Sequence, residues 1–249
     1  MTQALFDRYY PRDRFEGGTL PFFRLCRDRI RPGADILEIG AGPSNESSER
    51  LSGIGTVTGL DVDPDVKNNR WLAHAFVFTG GHMPFAAESF DACCSNYVLE
   101  HVEDPAEHFK EVARVLRPGG VYCFRTPNLF HYVSMGAHLM PHSMHLRLAN
   151  RLRALDQDAH DPYPTWFRAN TPGKLRKLCR AAGLEPPAIA MIEPEPSYGK
   201  AHALLFYPMM AYERIVNWSD VLSLFRGTML VAVRKPTPAS DRQQNSPKL

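Results

Sequence analysis

Two groups of residues in this chain have the types and spacing to build a nucleoside site. Gly40 and Gly42 close an apolar run in ILEIGAGPS (residues 36–44), and Asp61 closes a second in VTGLDVD (residues 57–63). Glycines after one strand let a ligand approach bare backbone, and an acid about twenty residues on, after the next strand, can hold ribose hydroxyls. Such a site serves a dinucleotide, for hydride transfer, or S-adenosylmethionine, for methyl transfer. A dinucleotide fingerprint places a third glycine three residues after the second, to bring helix close to strand. Asn45 stands there, which weakens the hydride reading. Glu38 puts a carboxylate inside the first apolar run. Burying such a group costs free energy unless it is hydrogen-bonded, so it is expected to order the loop amides or to face a cationic ligand.

The elements that must position these groups follow from periodicity. Thr19 to Ile30 has the spacing of an amphipathic helix, ended by Arg31, Pro32 and Gly33. Ala34 to Ile39 reads as a buried strand, Asn45 to Leu51 as a helix capped by Ser44 or Asn45, and Thr56 to Leu60 as the second strand. Asp63 and Pro64 begin a short helix, and Ala75 to Phe78 and Phe90 to Ser95 are further strands. Helix Pro105 to Leu116 ends at RPGG (117–120), and Val121 to Arg125 is the fifth strand. Strands alternating with helices in this rhythm predict a parallel, doubly wound sheet. After Pro127 the character changes. His131 to Ala154 predicts two helices broken at Pro141, and residues 156–170 a loop. Helix 172–182, strand 188–192, helix 201–218 and strand 228–233 restore the pattern. Residues 1–235 are expected to form one domain, with an N-terminal helical cap (1–33), an insertion or lid (128–171) and a disordered tail (236–249).

Three further motifs stand in family order behind the glycine loop: MPFAAESFD (83–91), VLEHVEDP (98–105) and EVARVLRPGG (111–120). With LEIGAG (37–42) and GLDVD (59–63), they make residues 34–127 resemble the class I S-adenosylmethionine-dependent methyltransferases, in their type-11 or UbiE-like small-molecule branch. The resemblance implies a Rossmann-like α/β fold: a doubly wound seven-stranded sheet, mostly parallel with a last antiparallel strand, and a helical insertion after strand five. It implies S-adenosyl-L-methionine as cofactor. Gly40, Ala41 and Gly42 would take its methionine moiety against the backbone, with Glu38 near the ammonium, Asp61 on the ribose and Val62 beside adenine. After the third strand the family places an aspartate near the adenine amine. Thr79 replaces it here, a weaker acceptor, with Gly80, Gly81 and His82 following. Ser95 and Asn96, at the carboxyl end of the fourth strand, should flank the methionine part, and His101 should shape the site or touch ligand. No NPPY-type signature follows that strand, which disfavours methylation of DNA adenine.

Methyl transfer from a sulfonium needs alignment and exclusion of water more than acid–base machinery. A hydroxyl acceptor gains from a base near neutral pKa, usually histidine. His131 is the first candidate, followed by His142 and His145; His138 shares their segment. Bound metal is not expected, because Pro141 breaks the register of these histidines and no carboxylate sits among them. Tyr132, Tyr163, Trp166, Phe167 and Tyr198 suit a flat or lipid-like acceptor or the apolar face of a sugar. The stiff, aromatic segment 163–172 reads as a lid. A net charge of +2 argues against a dedicated nucleic-acid surface. Five cysteines without a CxxC pair point to reduced thiols. No signal peptide opens the chain and no run is long enough to span a bilayer. The expectation is a soluble, cytoplasmic enzyme, monomer or homodimer, methylating a hydroxyl of a sugar or natural product. N- or C-methylation and a non-catalytic cofactor-binding role are the alternatives.

Overall fold

The computed structural model describes residues 2–11, 18–139, 163–196 and 203–238. Helices α1 (Thr2–Tyr9) and α2 (Thr19–Arg29) precede strand β1 (Asp35–Ile39). Helix α3 (Glu46–Ser52), strand β2 (Thr56–Asp61), a 3-10 turn (Pro64–Asn68) and strands β3 (His74–Val77) and β4 (Phe90–Asn96) follow. Helix α4 (Pro105–Val115) leads into β5 (Leu116–Pro127), and α5 (Tyr132–Leu139) opens the segment after it. Then come α6 (Pro172–Ala181), β6 (Ala188–Ile192), α7 (Ala203–Trp218) and β7 (Thr228–Arg234).

The strands form one sheet in the order β3-β2-β1-β4-β5-β7-β6. Strands β1 to β5 pair in parallel, and β7 runs antiparallel between β5 and β6. This is the sheet the motifs imply. Strand β5 is longer than its apolar core: RPGG, expected only to stop the helix, is drawn into the strand. Phe90 pairs with Leu116 and Ala92 with Val121, so residues 117–120 are accommodated as an irregularity in the ladder.

Side chains alternate between faces along each strand. Ile36, Ala92, Cys94, Val121 and Cys123 pack with Phe22 and Cys26 of α2 and Leu51 of α3. Leu37, Ile39, Cys93, Tyr122 and Phe124 pack with Phe109 and Val112 of α4 and Leu175 and Leu178 of α6. The N-terminal helix packs on α7, where Phe6 and Tyr10 meet Phe206 and the Tyr10 hydroxyl donates to Glu213 at 2.8 Å. Among the described residues, no helix is long and apolar enough to cross a membrane.

One polar bridge crosses the α4 side of the core. The Tyr122 hydroxyl lies 2.7 Å from Ser95 Oγ and 3.0 Å from His108 Nε2. Tyr122→Phe leaves the room unchanged but strands both partners, each losing a bond in a site that excludes water. Chemical denaturation should show a loss of about 1–2 kcal/mol; an unchanged midpoint would mean that the bridge carries no net stability.

Candidate functional site

Parallel register brings the chemistry-bearing residues to one edge. Ile39 pairs with Leu60 and with Ser95, Asp61 with Val77, and Asn96 with Arg125. The loops that follow β1 to β5 therefore emerge side by side at the carboxyl edge, where ligands bind in such sheets.

The glycine loop is held by an acid from the next strand. Gly40 and Gly42 adopt φ values of 73° and 56°, in the left-handed region that a side chain disfavours. The Asp61 carboxylate accepts from the Gly42 amide at 2.7 Å and, with its other oxygen, from the Asp63 amide at 2.8 Å. Gly40 has a second reason to lack a side chain: a Cβ there would lie 2.2 Å from Val98 Cγ2. Ala41 between them is fully buried.

Asn45, in the place of a third glycine, closes the loop with its side chain. Its Oδ1 caps α3 by accepting from the Ser48 amide at 3.0 Å, and its Nδ2 donates to the carbonyls of Ala41 and Pro43. Asn69 reinforces it from the far side, donating to the Gly42 carbonyl at 3.2 Å and to Ser48 Oγ at 2.8 Å.

Glu38 is 2% exposed. Its oxygens accept from the hydroxyls of Ser47 at 2.5 Å and Ser48 at 2.7 Å, so it ties β1 to the start of α3; these, not loop amides, are its partners. Burial, with a smaller push from the nearby Asp61 charge, lifts its pKa to about 7 against the pull of the two hydroxyls.

The other expected cofactor residues divide. Val62 is 47% exposed at the end of β2, and Thr79, Gly80 and His82 are exposed in the loop after β3. His82 turns to α4, with Nδ1 3.2 Å from Glu111 Oε1. The Ser95 side chain is buried against Tyr122 and faces away from the edge. Asn96 Oδ1 accepts a short bond from Arg125, whose guanidinium also donates to the Gly18 carbonyl at 2.7 Å and stacks over Tyr97.

The segment expected to be a lid lies over this edge. His101 Nδ1 donates to the Pro164 carbonyl at 3.0 Å, and the amides of Trp166 and Phe167 donate to the Glu100 carbonyl. Arg168 donates to the Glu103 carbonyl at 2.6 Å. The Tyr163 hydroxyl has a raised pKa, first through burial and then through the charges of Asp63 and Asp61. The segment thus runs from His101 toward the end of β2. Beneath it Glu100, buried, accepts from Thr126 Oγ1, which accepts in turn from Asn170 Nδ2. Desolvation lifts the Glu100 pKa to about 7.

His131 lies farther along the edge, beyond β5. It is buried between Tyr132 and Tyr212, with Nε2 3.3 Å from Glu193 Oε1. His142 and His145 fall outside the described residues, as do Tyr198 and the side chain of His138. No metal-holding group of His, Cys, Asp or Glu occurs among the described residues. Three residues escape a reading of the sequence. Asn69 carries no motif signal, and Val98, which opens the VLEHVEDP motif, carries none for its contact with Gly40. Glu193 does carry one, an acid directly after an apolar strand, the same pattern that marks Asp61.

Residues 37–124 match the family model described as methyltransferase domain. An uncharacterized methyltransferase of Mycobacterium marinum is 38% identical over 96 residues, covering 36% of this chain and 37% of that protein. A ubiquinone biosynthesis O-methyltransferase of Cereibacter sphaeroides is 29% identical over 166 residues, covering 65% and 56%. The chain thus spans between about a third and a little over half of the curated relatives named here. The fold is shared with phosphoethanolamine N-methyltransferase 2 of Haemonchus contortus, solved in complex with S-adenosyl-L-methionine. That match has 15% identity, 90% coverage of this chain, 54% of that one and a TM-score of 0.54.

Two tests follow from the geometry. Gly40→Ala meets both the Val98 methyl and the left-handed backbone, so it should cost more than about 1 kcal/mol. Val98→Ala should recover only the steric part in a double-mutant cycle, and full additivity would show that Val98 is not the obstacle. For Glu38 the folded pKa exceeds the unfolded one, so its contribution is fully present below about pH 4.5 and is lost as pH rises through about 7. The melting temperature of Glu38→Gln minus that of the wild type should therefore climb between those values, and a flat difference would refute the raised pKa.

Proposed function

Over residues 37–124 the chain belongs to the type-11 class I methyltransferases, and on that premise we propose that it transfers the methyl group of S-adenosyl-L-methionine to a small-molecule hydroxyl. The observation that carries this reading is the clamped glycine loop facing Asp61. Each Asp61 oxygen accepts one amide and has a lone pair left, which suits the two hydroxyls of a ribose. The exposed side chains of Val62 and Val77 offer an apolar surface for adenine, while Thr79, Gly80 and His82 line its amine side. The residues present fit the cofactor.

When bound, S-adenosyl-L-methionine supplies an activated methyl group that requires no protein nucleophile. The protein's part is then placement. Gly40 to Gly42 present backbone to the methionine moiety, with Asn96 and His101 on the side toward the acceptor. The segment from Tyr163 to Arg168 covers the edge and excludes water. His131, on the acceptor side, takes the hydroxyl proton. Its aromatic neighbours, together with Trp166 and Tyr163, suit a sugar or a natural product with an apolar face.

Titration calorimetry with S-adenosylmethionine and S-adenosylhomocysteine checks the cofactor, and binding of neither removes this function. Stabilisation by NADH alone would restore the hydride reading. Asp61→Ala should weaken cofactor binding by about 1–3 kcal/mol, the loss of charge-assisted hydrogen bonds; equal affinity would refute the ribose contact. Release of S-adenosylhomocysteine with sugar, phenol and amine acceptors then identifies the receiving atom. Binding without release for any acceptor would make the chain a cofactor-binding protein.

A further inference from the structure

We propose that Glu193 is a positioning residue that fixes the ring of His131 so that Nδ1 accepts the proton of the acceptor hydroxyl. This inference rests on the methyl-transfer reading and assigns the device that makes one buried histidine usable as its base.

Glu193 directly follows β6, and its side chain is as buried as that of His131. Its two oxygens have separate tasks. Oε2 accepts a short bond from the Gly227 amide, which leads into β7, and Oε1 lies 3.3 Å from His131 Nε2. Asn217 of α7 donates to the Glu193 carbonyl at 3.1 Å. The carboxylate is thus held by the Gly227 amide and the backbone of its residue by α7, and a group so fixed can orient another.

His131 is constrained to match. Its ring centroid lies 4.2 Å from that of Tyr132 and 5.5 Å from that of Tyr212, and the Tyr212 hydroxyl donates to the Phe225 carbonyl at 2.6 Å. Gly227 leaves the space the pair occupies: a Cβ there would stand 3.0 Å from Glu193 Oε2 and 3.4 Å from His131 Cδ2. Nε2 is fully enclosed and makes no hydrogen bond with the ring as it stands; Glu193 Oε1, 3.3 Å away, is a carboxylate oxygen within reach of its proton. An imidazole carrying its proton on Nε2 has its free lone pair on Nδ1.

The pair is also connected to the cofactor edge. Thr228, next to Gly227, holds the Tyr97 hydroxyl at 3.1 Å, and Tyr97 follows Asn96 at the end of β4. In the reaction the acceptor's O–H bond breaks with its proton on Nδ1. The oxygen's electron pair forms the new O–CH3 bond, and the pair of the broken S–CH3 bond stays on the donor's sulfur, as a neutral thioether. The imidazolium so formed is stabilised by the Glu193 carboxylate until the proton passes to solvent.

Long-range proton–nitrogen spectra of labelled protein, with the His131 signals assigned through His131→Gln, read the tautomer directly. The expected result is Nε2–H in the wild type. In Glu193→Gln the amide oxygen takes over the Gly227 bond, which turns the amide NH2 toward Nε2 and moves the ring proton to Nδ1. That variant should lose at least tenfold in kcat, with the KM for S-adenosylmethionine unchanged, on the acceptor giving the most S-adenosylhomocysteine. An Nδ1–H tautomer in the wild type, or full kcat in Glu193→Gln, overturns the proposal. The wild-type spectrum decides even if the variant does not fold. A wild type that methylates no acceptor removes the function and this role together, and an Nε2–H spectrum would then identify the failure as one of function and not of geometry.

Discussion

The carboxylate of Asp61 sits between two strands and bonds to backbone on both sides. One oxygen takes the amide of Gly42, in the loop after β1, and the other takes the amide of Asp63, in the turn after β2. A glycine loop has the conformational freedom to approach a ligand and, for the same reason, the freedom not to. Charge-assisted bonds to a residue anchored in the sheet remove that second freedom. The remaining features of the carboxyl edge are built against the shape this clamp imposes. Val98 fills the space beside Gly40, Asn45 and Asn69 hold the loop carbonyls, and α3 starts where Asn45 caps it.

Behind the clamp, buried polar groups are joined in chains. Asn69 donates to Ser48, and Ser48 donates to Glu38, forming a chain from the 3-10 turn through α3 to β1. Glu100, Thr126 and Asn170 make a second chain beneath the lid segment. Both carboxyls are lifted toward neutrality by desolvation, so near pH 7 each can exist without a full buried charge. Linked buried groups of this kind favour a single arrangement, although the Asn170 Oδ1 of the second chain is itself left without a partner. They hold the two walls of the edge in place while the exposed groups between them, Val62, Thr79 and Gly80, stay open to a ligand.

Distance along the sheet separates two tasks. Strands β1, β2 and β3 carry the groups suited to a nucleoside, whereas β5, β6 and β7 carry His131, Glu193 and the aromatic residues suited to an acceptor. The two meet through β4, where Asn96 is bound by Arg125 and Tyr97 reaches Thr228. The antiparallel β7 matters here, because its reversed direction brings its first residues, rather than its last, to the carboxyl edge.

The sequence by itself determined the sheet and the place of the glycine loop and its acid at the sheet's carboxyl edge. Apolar runs and helical spacing are local patterns, and Gly40, Gly42 and Asp61 lie next to strand ends that those patterns locate. Asn45 was legible as a cap for the same reason. Tertiary structure alone decided what lies against what. Val98 and Gly40 are 58 positions apart, Glu193 and His131 are 62 apart, and no local pattern relates them. Ser95 shows the limit most plainly: its place at the end of β4 is readable, but strand alternation and the Tyr122 hydroxyl turn its side chain into the core. A strand's position follows from its own residues, whereas the partner of a side chain depends on how the sheet is ordered and which face that side chain takes.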